Sequence, residues 1–464
     1  MTLVLGVDSS TQSTKAVLVD AADGTVLEQR QVPHPEGTEV DPRAWLDAVD
    51  AATADLLPRC AALSVAGQQH GMVARDDAGA VVRRALLWND VRSSSAAREL
   101  VQEWGGPAAC AEAVGSVLVA SLTVSKLRWL RDHEPENAAR VAEVLLPHDL
   151  VSEHLCAPGT EVFTDRGDAS GTGYFSPAEN RWRPDLLASA LGHEARVPRL
   201  VAPGQPAGHT AAGAGAVVAS GTGDNMAAAL GMQLDTDDVL LSIGTSGVAS
   251  MVSPEPVSDG TGAVTGFCDA AGGFLPMSVT LNAARILDLQ ARWLGVDHDE
   301  LSALALSAPA GANGVALLPY YGGERTPDRP GAVGTWTGLR TETTRADLAR
   351  AAVEALACSL ADALGEILAR LGREPARVLV VGGAARSAAL REVLPAVLGR
   401  PVLLAPPAEY VALGAARQAA WALGGEDQPP AWVAAPAAEV DAAPTPAVHE
   451  RYAELRRATE AWDG

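Results

Sequence analysis

Leu3-Val4-Leu5-Gly6-Val7, then Asp8-Ser9-Ser10-Thr11-Gln12-Ser13-Thr14-Lys15, then Ala16-Val17-Leu18-Val19: two short apolar runs flank eight polar residues. Runs of this length and β-branched content read as the two strands of a hairpin, with Asp8 to Lys15 as a hydroxyl-rich turn. The same design returns near position 240. Val239-Leu240-Leu241-Ser242-Ile243 and Val248-Ala249-Ser250-Met251-Val252 read as strands around the turn Gly244-Thr245-Ser246-Gly247. The two turns lie about half a chain apart, the spacing a duplicated two-domain architecture would give. Strand–Gly/Ser/Thr–strand also recurs by chance, so the repeat alone is a weak signal.

Outward from the hairpins the chain alternates helix and strand. Val40 to Leu57 reads as a helix opened by Asp41-Pro42. Ala62 to Gly67 is a buried strand running into Gln68-Gln69-His70-Gly71, and Leu86 to Asp90 an apolar run ending in polar groups. Polar residues just past strand ends are where α/β proteins place ligand contacts. In the second half Arg345 to Arg370 reads as a long helix, Arg377 to Val381 as a strand feeding Gly382-Gly383-Ala384-Ala385-Arg386-Ser387, and Leu413 to Ala422 as a helix. The Ala/Pro-rich stretch Gly424 to Pro446 reads as an extended tether. A final amphipathic helix, Val448 to Trp462, sets Tyr452, Leu455 and Trp462 near one face for packing onto the body. The domain boundary is expected between Leu230 and Val239, giving units 1–235 and 236–464.

The 464 residues carry 35 Lys+Arg against 57 Asp+Glu, a net charge of −22 that disfavours nucleic acid and anionic membrane as partners. Hydrophobic residues at 48% and charged residues at 20% exclude a disordered chain. Cys60, Cys110, Cys156, Cys268 and Cys358 lie far apart with no C-x-x-C, against a zinc ribbon, a thioredoxin motif or a disulfide framework. Met1 to Val7 has no basic segment before Asp8 interrupts the apolar run, and no stretch reaches the roughly 18 apolar residues of a membrane span. The expectation is a cytosolic protein.

The standard nucleotide motifs are missing. There is no G-x-x-x-x-G-K-[ST], and Gly213-Ala214-Gly215 begins a dinucleotide fingerprint that lacks its third glycine. Gly244-Thr245-Ser246-Gly247 does not fit the hydrolase elbow, and His148 and His154 are too far apart to share a helix face. What remains is the pair of hairpin turns, whose backbone N–H groups and hydroxyls suit a polyphosphate. Asp8 at the mouth of the first suits Mg²⁺, because hard cations take carboxylate oxygens; a turn cap is an equal alternative. Asp224, in Ser220-Gly221-Thr222-Gly223-Asp224-Asn225, is placed for the general-base role that phosphoryl transfer requires. From the residues alone an Asx turn is the better account of it.

These segments carry a family resemblance. Gly6-Val7-Asp8-Ser9-Ser10-Thr11, Ala66-Gly67-Gln68-Gln69-His70-Gly71, Leu87-Trp88-Asn89-Asp90, Leu145-Leu146-Pro147-His148-Asp149 and Thr164-Asp165-Arg166-Gly167-Asp168-Ala169-Ser170-Gly171-Thr172 occur in order. Gly223-Asp224-Asn225, Leu241 to Val248, Leu318 to Pro327 (Leu-Pro-Tyr-Tyr-Gly-Gly-Glu-Arg-Thr-Pro) and Gly382 to Ser387 complete the set. The ordered set resembles the FGGY carbohydrate kinases, most closely those acting on xylulose, along most of the chain. The resemblance implies an α/β chain of two ribonuclease-H-like domains, of the actin/Hsp70/sugar-kinase type, hinged about a central cleft. It implies ATP and Mg²⁺, with Asp224 as general base, Asp8 organising the metal, and Thr11, Thr245 and Ser246 contacting phosphates. Gly382, Gly383 and Ala384 would cradle the adenosine; Gln69, His70 and Asn225 would contact the sugar. D-Xylulose is the expected acceptor, with ribulose, a deoxyketose, gluconate or a short polyol as alternatives, and a silent sugar or nucleotide sensor as the rival class. A homodimer is compatible with such an enzyme, though no exposed stripe establishes one.

The chain departs from the family pattern at Gln69 (often Met), Ser10 and Ser13 (often Gly), Ala384 (the third Gly of a triplet) and His148 (often Lys). Other matching residues have structural explanations. Asp165 and Asp168 are expected to cap and brace a helix start, Trp88 to be core as readily as a sugar platform, Glu324 and Arg325 to form an interdomain ion pair, and Lys15 to face water at a strand edge.

Overall fold

The computed structural model describes residues 1–211, 215–433 and 436–462. Gly213 and Ala214 of the incomplete fingerprint lie outside the described residues. The first half is built on β1 (Leu3–Ser9), β2 (Ser13–Asp20) and β3 (Val26–Pro33), helix α1 (Arg43–Thr53), β4 (Ala62–Gly67), helix α2 (Thr123–His133), β5 (Val217–Ala219) and helix α3 (Asp224–Gly231). β1 pairs antiparallel with β2 and parallel with β4; β2 pairs antiparallel with β3, and β4 parallel with β5. Alternation along β1 assigns its two faces. Leu5 and Val7 pack with Trp45 and Val49 of α1, while Val4 joins Ala412, Ala416 and Ala419 from a helix of the second half.

That half repeats the plan with β6 (Asp238–Ile243), β7 (Gly247–Met251), β8 (Thr265–Cys268), β9 (Phe274–Thr280), helix α4 (Arg345–Leu371), β10 (Arg377–Val381), β11 (Val402–Leu404), helix α5 (Tyr410–Gly424), β12 (Ala438–Val440) and helix α6 (Pro446–Ala458). β6 pairs antiparallel with β7 and parallel with β10; β7 pairs antiparallel with β9, and β10 parallel with β11. Among the described residues each half has a seven-stranded sheet. In each, a hairpin's first strand is central and runs parallel to the next two strands across a helical excursion. The duplication suggested by the two turns is therefore a duplication of topology.

Helix α5 joins the halves. It packs on β1 and on α3, and a Cβ added at Gly6 would lie 1.9 Å from the Ala412 carbonyl oxygen. One added at Gly414 would lie 1.8 Å from the Ala227 carbonyl oxygen, so only glycine allows this approach.

Several boundaries differ from the sequence reading. The first turn is confined to residues 10–12, because Asp8 and Lys15 are paired strand residues and Ser9, Ser13 and Thr14 are buried. The helix expected over Val40 to Leu57 is α1 alone; Asp41 accepts a hydrogen bond from the Arg43 N–H at its start. Of Leu86 to Asp90 only Leu86 lies in a strand, Ala85–Leu86. The tether is partly pinned, since Trp432 is buried and donates its indole N–H to the Ala21 carbonyl, and β12 pairs with β11. In α6 Tyr452 and Leu455 are buried as expected, but Trp462, beyond its end, is 65% exposed. The five cysteines are free and buried. No described helix is long and apolar enough to cross a membrane.

Candidate active site

β1 delivers Asp8 to the cleft. The residue is buried, and its Oδ1 has no hydrogen-bond partner. Burial pushes the carboxyl up to about 7, helped by the charges of Asp224 and Glu409 and opposed by Lys15. Lys15 does not face water freely, because Glu409 holds its ammonium at 2.6 Å. Ser10 and Ser13 are tied down. Ser10 donates its hydroxyl to the Ser13 carbonyl at 3.0 Å, and the Ser13 hydroxyl accepts from Gln31 at 3.2 Å. Among the described residues no cluster of three or more His, Cys, Asp or Glu could hold a metal by itself. A buried, unpartnered carboxylate oxygen nevertheless fits Mg²⁺, which takes one or two carboxylates and completes its shell with phosphate oxygens and water.

Asp224 opens α3, directly after Thr222 and Gly223 run beside the end of β4. Its Oδ1 accepts from the Asn225 backbone N–H at 2.8 Å and the Asn225 side-chain amide at 3.0 Å. Oδ2 is left for a ligand. Burial raises this carboxyl to about 6 against the pull of those two bonds. The Asn225 amide also donates to Gln69 Oε1 at 3.0 Å, while the buried Gln69 Nε2 has no partner. Gln69 can thus offer a side-chain donor.

His70 follows with a left-handed backbone, φ 68°. Its Nδ1 lies 2.7 Å from the Gly171 carbonyl oxygen, so Nδ1 carries the hydrogen and Nε2 is an acceptor. Burial, then the charges of Lys126 and Arg325, hold the imidazole down to about 3, neutral at physiological pH. Lys126 of α2 is fully buried, and burial pushes its ammonium down to about 7. It donates to the carbonyls of His70 (3.2 Å) and Ser121, fixing the turn that carries His70.

Gln69, His70, Asp224 and Asn225 line one cavity of about 300 Å³ with Thr11 and Ser246. Its far wall is a sheet face, from which Val248, Thr265, Phe267, Met277, Val279 and Leu281 project by strand alternation. Trp88 is not core: it is 46% exposed, lines this cavity and donates its indole N–H to Thr11 at 2.9 Å. A second cavity of about 500 Å³ is lined by Gly244, Thr245, Gly383 and Ala384. A third of about 420 Å³ runs along Gly382 and Gly383. Gly382 has φ 103°, and a Cβ there would come within 2.4 Å of the Ile243 carbonyl oxygen. The turn 244–246 therefore lies between two chambers, with Thr245 facing one and Ser246 the other.

Residues 3–231 match the N-terminal domain of the FGGY family of carbohydrate kinases, and residues 239–423 its C-terminal domain. The chain belongs to this family. It is 45% identical over 438 residues to the xylulose kinase of Streptomyces coelicolor, covering 92% of this chain and 89% of that one. It is 33% identical over 443 residues to the xylulose kinase of Escherichia coli, covering 90% and 89%. The crystal structure of xylulose kinase from Bifidobacterium adolescentis superposes with a TM-score of 0.92 at 42% identity, covering 98% of this chain and 99% of that one. The α/β architecture of two sheet-centred domains about a cleft is that of this family, and the chain is a sugar kinase.

In this kinase Asp165 and Asp168 brace as expected. Asp165 accepts from the N–H groups of Gly167 (2.9 Å) and Asp168 (2.8 Å) and from the Thr222 hydroxyl (2.7 Å). Asp168 meets His148 at 2.6 Å. Burial opposes a charge on His148, but the neighbouring Asp149 and Asp168 outweigh it and push the imidazole up to about 9. The ion pair expected between Glu324 and Arg325 does not form. The Glu324 carboxylate accepts from the N–H groups of Leu281 (2.5 Å) and Arg325 (2.8 Å) and from Asn282 (3.0 Å), and Arg325 lines the cavity that holds Asp224. Lys126 went unnoticed in the sequence, although a lysine inside Val124-Ser125-Lys126-Leu127 on an otherwise buried helix face is a visible anomaly.

Proposed function

We propose that this kinase transfers the γ-phosphoryl group of ATP to O5 of D-xylulose, yielding D-xylulose 5-phosphate, with Asp224 as the general base. The observation that carries the reading is the arrangement at the turn 244–246. Asp224, with Oδ2 unbonded, lines the chamber on the Ser246 side, and the glycine-lined chamber opens on the Thr245 side. A hydroxyl seated beside Asp224 loses its proton to Oδ2 as its oxygen bonds to the γ-phosphorus and the bond from that phosphorus to the β-phosphate bridging oxygen breaks. A base with a pKa near 6 is ionised at neutral pH yet basic enough to accept that proton.

Gln69 donates, and His70 accepts at Nε2, to orient the sugar. Thr11, Thr245 and Ser246 approach the phosphates; Gly382, Gly383 and Ala384 receive the adenosine. Asp8 would hold Mg²⁺, which when bound neutralises charge on the phosphate oxygens. Movement of the two halves, divided near residues 235 and 236, would exclude water so that the sugar hydroxyl meets the phosphoryl group. The xylulose kinase relatives support the choice of sugar.

The test is Asp224→Asn assayed with D-xylulose and Mg·ATP, with nucleotide binding measured separately. Removing the base should lower kcat by about 100-fold or more while ATP binding and Tm stay near wild type. A kcat close to wild type would overturn the assignment.

A further inference from the structure

Arg325 is a charged side chain in the sugar cavity that no described acid neutralises. Glu324, its neighbour, is consumed by three donors, and Asp328, whose charge Arg325 senses, is exposed and forms no ion pair with it. The backbone is fixed on both sides of Arg325. Glu324 ties it to the Leu281 N–H at the end of β9, and the Thr326 hydroxyl donates to the Val279 carbonyl at 2.9 Å. The side chain thus starts beside the apolar wall of Val279 and Leu281, and its charge reaches the His70 ring. A half-buried guanidinium on a cavity wall with no acid paired to it is a site lacking its acceptor.

We infer that Arg325 is the residue that selects a ketose over a polyol, its guanidinium donating to the carbonyl oxygen of the substrate. The inference rests on the D-xylulose reading, in which O5 lies at Asp224 and the carbonyl at the opposite end of the sugar. His70 Nε2 accepts from a hydroxyl, whereas Arg325 can only donate. Together they complement a hydroxyl beside a carbonyl. A carbonyl brings no proton of its own. The hydroxyl that replaces it in a polyol must point its hydrogen somewhere, and Val279 and Leu281 offer no side-chain acceptor while the Met277 thioether is only a weak one. A buried polar hydrogen left unpaired is the kind of defect that discriminates strongly between related substrates.

The experiment compares D-xylulose with xylitol as acceptors for wild type, Arg325→Gln and Arg325→Lys, measuring kcat and KM for acceptor and for ATP. In Arg325→Gln the KM for D-xylulose should rise about 10- to 100-fold, the range expected for a lost hydrogen bond to a charged group. The KM for ATP and the Tm should hold. The preference for ketose over polyol should shrink by about tenfold, and Arg325→Lys should recover part of it. An unchanged preference would overturn the inference; a rise in the ATP KM with loss of kcat on every acceptor would assign Arg325 to the phosphoryl group instead. If the wild type prefers another ketose, the D-xylulose reading falls, while the same comparison with that ketose and its alditol still decides the role of Arg325. If it accepts only polyols, both fall.

Discussion

Replacing Asn225 by Ala should move the acid limb of the pH–activity profile without abolishing the base. Asp224 Oδ1 accepts two hydrogen bonds from Asn225, one from the backbone at 2.8 Å and one from the side chain at 3.0 Å. Both favour the ionised carboxylate, against the burial that has raised it to about 6. Alanine keeps the first and deletes the second. A hydrogen bond to a charged group is worth about 1.5–3 kcal/mol, and about 1.4 kcal/mol corresponds to a tenfold change in protonation equilibrium. The limb should therefore rise by about one to two pH units. The assay is kcat/KM for D-xylulose from pH 5 to 9, which reports the free enzyme. The position of the limb is read independently of its amplitude, so loss of Asn225's contact to Gln69 does not confuse the result. A limb that does not move between wild type and variant, with activity lowered equally at all pH values, would refute Asp224 as the titrating base.

Asp8→Asn should abolish turnover yet stabilise the ligand-free protein at alkaline pH. The folded carboxyl sits at about 7 against an ordinary value of 3.8, so the native state binds the proton more tightly. Its destabilising effect is absent below pH 4, grows as pH rises through 4–7 and is complete above that, up to about 4 kcal/mol. Thermal melts at pH 8 should show the variant several degrees higher than wild type, with the gain shrinking at pH 5. Gly414→Ala, whose Cβ would lie 1.8 Å from the Ala227 carbonyl oxygen, should cost about 3 kcal/mol or more in denaturant titrations and lower kcat, because α3 carries Asp224. Gly383→Ala, with nothing within 4 Å of its added Cβ, should leave ligand-free stability unchanged.

Both hairpins are legible in sequence because alternation writes itself into β1 and β6: in β1, Val4 faces one helix, Leu5 and Val7 another. Arg377–Val381 and Ala62–Gly67 were readable for the same reason, as short apolar runs bounded by polar residues. The helix α5 could be read, but not that it crosses back onto β1 and α3, since a glycine in a helix looks the same whether it faces solvent or a neighbour's backbone. Asp8 and Asp224 were visible as acids in Gly/Ser/Thr-rich turns. Their raised pKa values depend on burial by elements distant along the chain, which local sequence does not carry. For Glu324 and Arg325 the sequence suggests an interdomain ion pair. In the folded chain, backbone N–H groups claim that carboxylate first.

The most direct test of the account is kcat/KM with Mg·ATP over D-xylulose, D-ribulose, L-ribulose, L-xylulose, D-fructose, glycerol, xylitol and gluconate, followed by ADP release. D-Xylulose is expected to exceed every other acceptor by at least tenfold. A clear preference for another acceptor, or silence on all of them despite measurable ATP binding, would contradict it.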